Sequence, residues 1–89
     1  MQAIGDLGRY TIAALATVIV KDWGEKTYFG AKPYIGAMLS LTSVNDTYGC
    51  DSGKEIVLYF LSNASTWRGE VAKAVKAELK KRLKDAGKH

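Results

Sequence analysis

The stretch from Thr66 to Lys84 constrains this chain more than any other. Taken at 100° per residue, Val71, Ala72, Val75, Leu79 and Leu83 fall on one arc, while Lys73, Lys76, Lys80 and Lys84 line another. That is the pattern of a long amphipathic helix with a core side and a lysine stripe. Ser65 or Thr66 is placed to cap it, Trp67 and Val71 stand one turn apart on its buried side, and Glu78 and Arg82 form an i,i+4 pair.

Charge is concentrated in the same segment. Residues 68–89 hold eight Lys/Arg against three acids, leaving +5, whereas residues 1–67 hold five against six, leaving −1. The basic character therefore belongs to one element, which favours a local anionic partner over general adhesion. With 89 residues, 47% hydrophobic and 25% charged, the chain has the size and composition of one globular domain with a modest core.

Upstream, Tyr10 to Lys21 accumulates Thr11, Ile12, Thr17, Val18, Ile19 and Val20, and this β-branched content predicts a strand. The competing reading is a helix, because Ala13, Ala14, Leu15 and Ala16 are good helix formers. Asp22-Trp23-Gly24-Glu25 supplies turn chemistry and Lys26-Thr27-Tyr28-Phe29 a returning strand, so the segment reads as a β-hairpin with Trp23 at its tip. A hairpin alone is marginal in water. It must pack on helices, gain a third strand from residues 1–8, or pair with a second subunit through its edge as a homodimer.

Pro33 opens a short helix over residues 33–42, weakened by Gly36, and residues 43–51 read as a polar loop. Ser52-Gly53-Lys54-Glu55 has capping-box spacing, which decides the apolar run Ile56 to Leu61 in favour of helix, with Asn63 closing it in a left-handed conformation. The expected fold is thus a small single α+β domain over residues 1–89. An N-terminal β-hairpin packs against three helices, the last long, amphipathic and basic.

The candidate sites are few. Lys73, Lys76, Lys80 and Lys84 present four ammonium groups on one rod, suited to nucleic-acid phosphates or to an acidic protein face, and equally to a solvated helix surface. Trp23 at a hairpin tip and Arg68 beside a buried Trp67 are the expected protein-contact residues. The other aromatic side chains are expected mostly in the core. Gly49 to Lys54 resembles a phosphate loop only superficially: three residues separate Gly49 from Gly53 where four are needed, Glu55 replaces the Ser/Thr, and no strand is expected before it. Asn45, Asp46, Asp51 and Glu55 miss the calcium-loop template, which finds Val44 or Tyr48 where it needs Asp. Cys50 and His89 are each the only residue of their kind, so neither a zinc site nor a Cys-His nucleophile pair is expected.

The function expected from these observations is a non-enzymatic binding module, without cofactor or metal. Its first reading is a protein–protein interaction protein, an adaptor or inhibitor. The alternative is a nucleic-acid-binding protein working through the basic helix. In size and composition alone the chain resembles small one-domain proteins encoded by phages and mobile elements. The apolar run over residues 10–20 is too short to span a bilayer and is poorly built as a signal peptide. With a single cysteine the chain fits a reducing compartment, so a cytoplasmic location is expected.

Overall fold

The computed structural model describes residues 7–49 and 51–86. A 3-10 turn, Leu7–Arg9, leads into helix α1, Ile12–Trp23. Two further 3-10 turns, Gly24–Lys26 and Phe29–Ala31, connect it to α2, Lys32–Met38. Strands β1, Thr47–Tyr48, and β2, Asp51–Ser52, pair antiparallel with Thr47 opposite Ser52. Helices α3, Gly53–Ser62, and α4, Glu70–Ala86, complete the chain. The class is therefore α+β, an antiparallel hairpin with helices of which the last is long, amphipathic and basic.

The hairpin itself lies between residues 47 and 52, largely within the segment 43–51 expected to be a loop, and the expected strands over 10–29 are helix and 3-10 turn. Burial accounts for the difference. Ile12, Leu15, Ala16, Ile19 and Trp23 are buried, a spacing of three, one, three and four that only a helix brings to one side. The Thr11 hydroxyl caps the start by accepting from the Ala14 N–H at 3.0 Å. Two further first-turn donors find partners outside the helix: the N–H groups of Ile12 and Ala13 donate to the carbonyls of Thr42 and Leu41, at 3.0 and 2.8 Å. Packing and capping outweigh a β-branched propensity worth a few tenths of a kcal/mol per residue.

The capping box is formed at α3. Ser52 Oγ accepts from the Glu55 N–H at 3.2 Å, and Glu55 Oε1 accepts from the Ser52 N–H at 3.5 Å. Asn63 ends that helix with φ −106°, not left-handed; its side-chain amide instead donates to the Tyr59 carbonyl at 2.8 Å. The last helix begins at Glu70, later than Ser65 or Thr66 would cap it, because Gly69 breaks the path with φ 114°. Trp67 therefore precedes α4 rather than riding on it. Possible pairing of residues 1–8 as a third strand falls mostly outside the described residues, and Leu7–Arg9 are a 3-10 turn.

Each of α1 and α3 packs against both α2 and α4, so the four helices close a ring. Ile12, Leu15, Ile19, Met38, Leu41, Val57, Phe60, Val75 and Leu79 fill its centre. Burying a side chain of this size contributes about 1.5–3 kcal/mol. The ring leaves outward the lysine side of α4 and the edge where α2 meets α3.

Candidate interaction surfaces

Trp23 is the residue most changed by the fold. It is 5% exposed and its indole stacks on Trp67, with centroids 5.7 Å apart and planes 17° off parallel. Both rings meet Phe60 edge-on, at 6.4 and 6.2 Å. The expected exposed anchor at a hairpin tip is a core residue, because α1 carries it inward at the end of its apolar face. The Trp67 Nε1–H donates to Asp22 Oδ2 at 2.8 Å, which satisfies the one polar atom of that indole.

The lysine stripe is not four equivalent cations. Lys73, Lys80 and Lys84 are exposed. Lys76 is half-buried: its ammonium donates to the Trp67 carbonyl at 2.7 Å and lies 5.9 Å from the centre of the Trp67 ring. Burial, and then the nearby charges of Lys80 and Arg68, hold its pKa below the ordinary lysine range. Lys76 thus locks the approach to α4, and its neighbours carry the free charge.

Arg68 is exposed between two hollows. One, about 570 Å³, is lined by Asp22, Trp23, Lys26, Thr66, Trp67 and Arg68. The other, about 320 Å³, is lined by Trp67, Arg68, Gly69, Ala72, Lys73 and Lys76. Arg68 and the first half of the stripe, read from sequence as separate sites, therefore form one corner. Lys26 joins them from the turn after α1. Only the fold reveals its place there, since nothing local marks a single lysine more than forty residues away.

A second surface consists of aromatic residues that were expected mostly in the core. Phe29 is 76% exposed, and Tyr28 and Tyr59 are also exposed, as is Tyr48 on β1. The rings of Tyr28 and Phe29 lie 5.1 Å apart, and Tyr34 on α2 meets Tyr59 on α3 at 5.6 Å. Gly30 lies between Tyr28 and Asn63. A Cβ there would stand 2.5 Å from the Tyr28 ring and 3.1 Å from Asn63 Oδ1, one helical turn beyond Tyr59. Leu58, within the apolar run of α3, is exposed as well.

Among the described residues no group of three or more His, Cys, Asp or Glu side chains is arranged to hold a metal ion. Gly49, with φ 62°, turns the hairpin, and the strand that sequence did not anticipate precedes Gly53; the cradle spacing of a phosphate loop is still absent. Cys50 and His89 lie outside the described residues. No helix among the described residues is long and apolar enough to cross a membrane. No family model, curated protein or solved structure matches the chain.

Proposed function

We propose that this chain is a small non-enzymatic binding module, an adaptor or inhibitor, that contacts a protein partner through Tyr28, Phe29, Tyr34 and Tyr59. The observation that carries the reading is the exposure of Phe29, 76%, in contact with the exposed Tyr28 ring on the turn that leads into α2. A phenylalanine left in water forgoes the burial that would stabilise the fold, and contiguous exposed apolar surface on a small domain marks a contact site. Aromatic side chains bury large area with few rotors to freeze, so they dominate binding energies at such faces.

Gly30 supports the same reading, since a side chain there would collide with the Tyr28 ring. An edge-to-edge dimer through strands at 10–29 is not part of it, because that segment is helical. The test places a photo-crosslinking amino acid at position 29, and separately at position 81, in cells of the organism that encodes the chain. A discrete product from position 29, none from 81, and its loss with Tyr59→Ala support the proposal. Products alike at both positions, or at neither, overturn it. Light scattering of the purified chain identifies a second copy as the partner.

A further inference from the structure

We propose that the corner around Arg68 is a binding site for the phosphodiester backbone of a nucleic-acid duplex. It is separate from the aromatic face. Arg68, Lys26, Lys73 and Lys76 line two hollows that share the Trp67-Arg68 ridge, and Lys80 lies close enough to influence Lys76. Among the described residues none of these five cations is in an ion pair with a carboxylate; the ion pair formed on α4 joins Arg82 to Glu78. Asp22 is the only carboxylate lining either hollow, and its Oδ2 already accepts the Trp67 indole N–H. Five cations against the one carboxylate that lines the hollows leave a net positive field at this corner.

The ridge that bears them is fixed. Trp67 is held by its stack on Trp23, by Asp22 and by the Lys76 ammonium on its carbonyl, so Arg68 projects from a rigid base. A guanidinium fork between two hollows suits successive phosphate groups, which it bonds bidentately while the lysines act as point charges. One small anion would occupy a single hollow. Beyond the corner, Lys80 and Lys84 continue along α4, whose rise of about 1.5 Å per residue carries the charge onward. The indoles of the corner are buried, 5% and 2% exposed, and offer no face on which an unpaired base could stack. The ligand is therefore read by its backbone, which favours a duplex over a single strand and makes recognition blind to sequence.

The experiment is a fluorescence-anisotropy titration with two labelled DNA duplexes of unrelated sequence and one labelled single strand. Wild-type chain should bind both duplexes equally and more tightly than the single strand. With Lys76 held on the Trp67 carbonyl, about four phosphate contacts should weaken binding roughly a hundredfold between about 50 and 200 mM salt. Arg68→Glu and Lys26→Glu should each weaken duplex binding by about tenfold or more at the lower salt. Lys81→Glu, an equal charge change on an exposed lysine outside the corner, should weaken it by less than about threefold, and Phe29→Ala should not change it. Matching thermal melts establish that each variant is folded. No duplex binding at low salt overturns the proposal, as does equal weakening by Lys81→Glu and Arg68→Glu. Displacement of the duplex by polyglutamate at equal charge concentration would overturn it in favour of an acidic protein face.

Discussion

Lys76 shows how far one residue's role depends on its neighbours. By spacing it is a member of a solvent stripe; in the structure it donates to the Trp67 carbonyl and sits in the field of two other cations. Its pKa is lowered by burial first, then by Lys80 and Arg68. The unfolded chain keeps the proton up to about pH 10.4, whereas the folded chain releases it at lower pH. Between those values the unfolded state binds more protons, so this residue's contribution to stability rises with pH through that interval. Below it, the charged amine is penalised in the folded state. Urea unfolding of wild type and Lys76→Met, from about pH 7 to about pH 10.5, should show the difference moving in favour of wild type as pH rises. Parallel curves would mean that the ammonium is as well solvated folded as unfolded. The aromatic residues show the same dependence on context: Trp23 and Phe29 are both large and apolar, and only the direction of the backbone puts one in the core and the other in water.

At the scale of elements, the helix starts carry most of the local determination. The Ser52–Glu55 capping box is legible from four letters, because its two reciprocal bonds need nothing beyond the segment itself. The start of α1 was not legible as such, since two of its donors depend on the carbonyls of Leu41 and Thr42, nearly thirty residues away. Two glycines test the distinction. A Cβ on Gly53 would stand 2.8 Å from the Val44 carbonyl oxygen and 3.0 Å from that of Ser43, where the backbone of the 43–46 turn crosses the start of α3. The Gly53 N–H also donates to the Asp46 carbonyl at 2.7 Å, so the approach is fixed. Gly53→Ala should destabilise by about 1–3 kcal/mol. A Cβ on Gly36, exposed within α2, would meet nothing within 4 Å. Gly36→Ala should stabilise by about 0.5–1 kcal/mol, through lower unfolded-state entropy. Denaturant midpoints of the two variants, moving in opposite directions, would check both.

At the scale of the whole molecule, the radius of gyration is 12.1 Å, which is the value expected of about 90 residues packed around one core. Arg82 helps to close that body. Its Nη2 donates to the carbonyls of Leu7 and Tyr10, at 2.8 and 2.7 Å, while Nε donates to Glu78 at 2.6 Å. The i,i+4 pair was legible from spacing; the clamp on the other end of the chain was not. A lysine there has one compact ammonium in place of a planar fork and cannot reach three acceptors at once. Arg82→Lys should therefore cost about 1–3 kcal/mol. Amide exchange at residues 7–10 should quicken by more than the global loss of stability accounts for. A variant as stable as wild type would show that the clamp adds nothing to solvation by water.

Sequence by itself determined what is periodic or short-range. The basic amphipathic α4, the capped α3, the helix start at Pro33 and the concentration of positive charge after residue 67 all follow from residues within a few positions of one another. Tertiary structure alone decided the rest. It made α1 a helix, because burial of Ile12, Leu15, Ile19 and Trp23 on one side outweighs their β-branched neighbours. It moved the hairpin to residues 47–52, turned Trp23 inward and Phe29 outward, and brought Lys26 beside Arg68. The physical reason is common to all four. Local propensities differ by tenths of a kcal/mol per residue, while burying one large side chain is worth several times more, and which side chains are buried is settled only when distant segments meet.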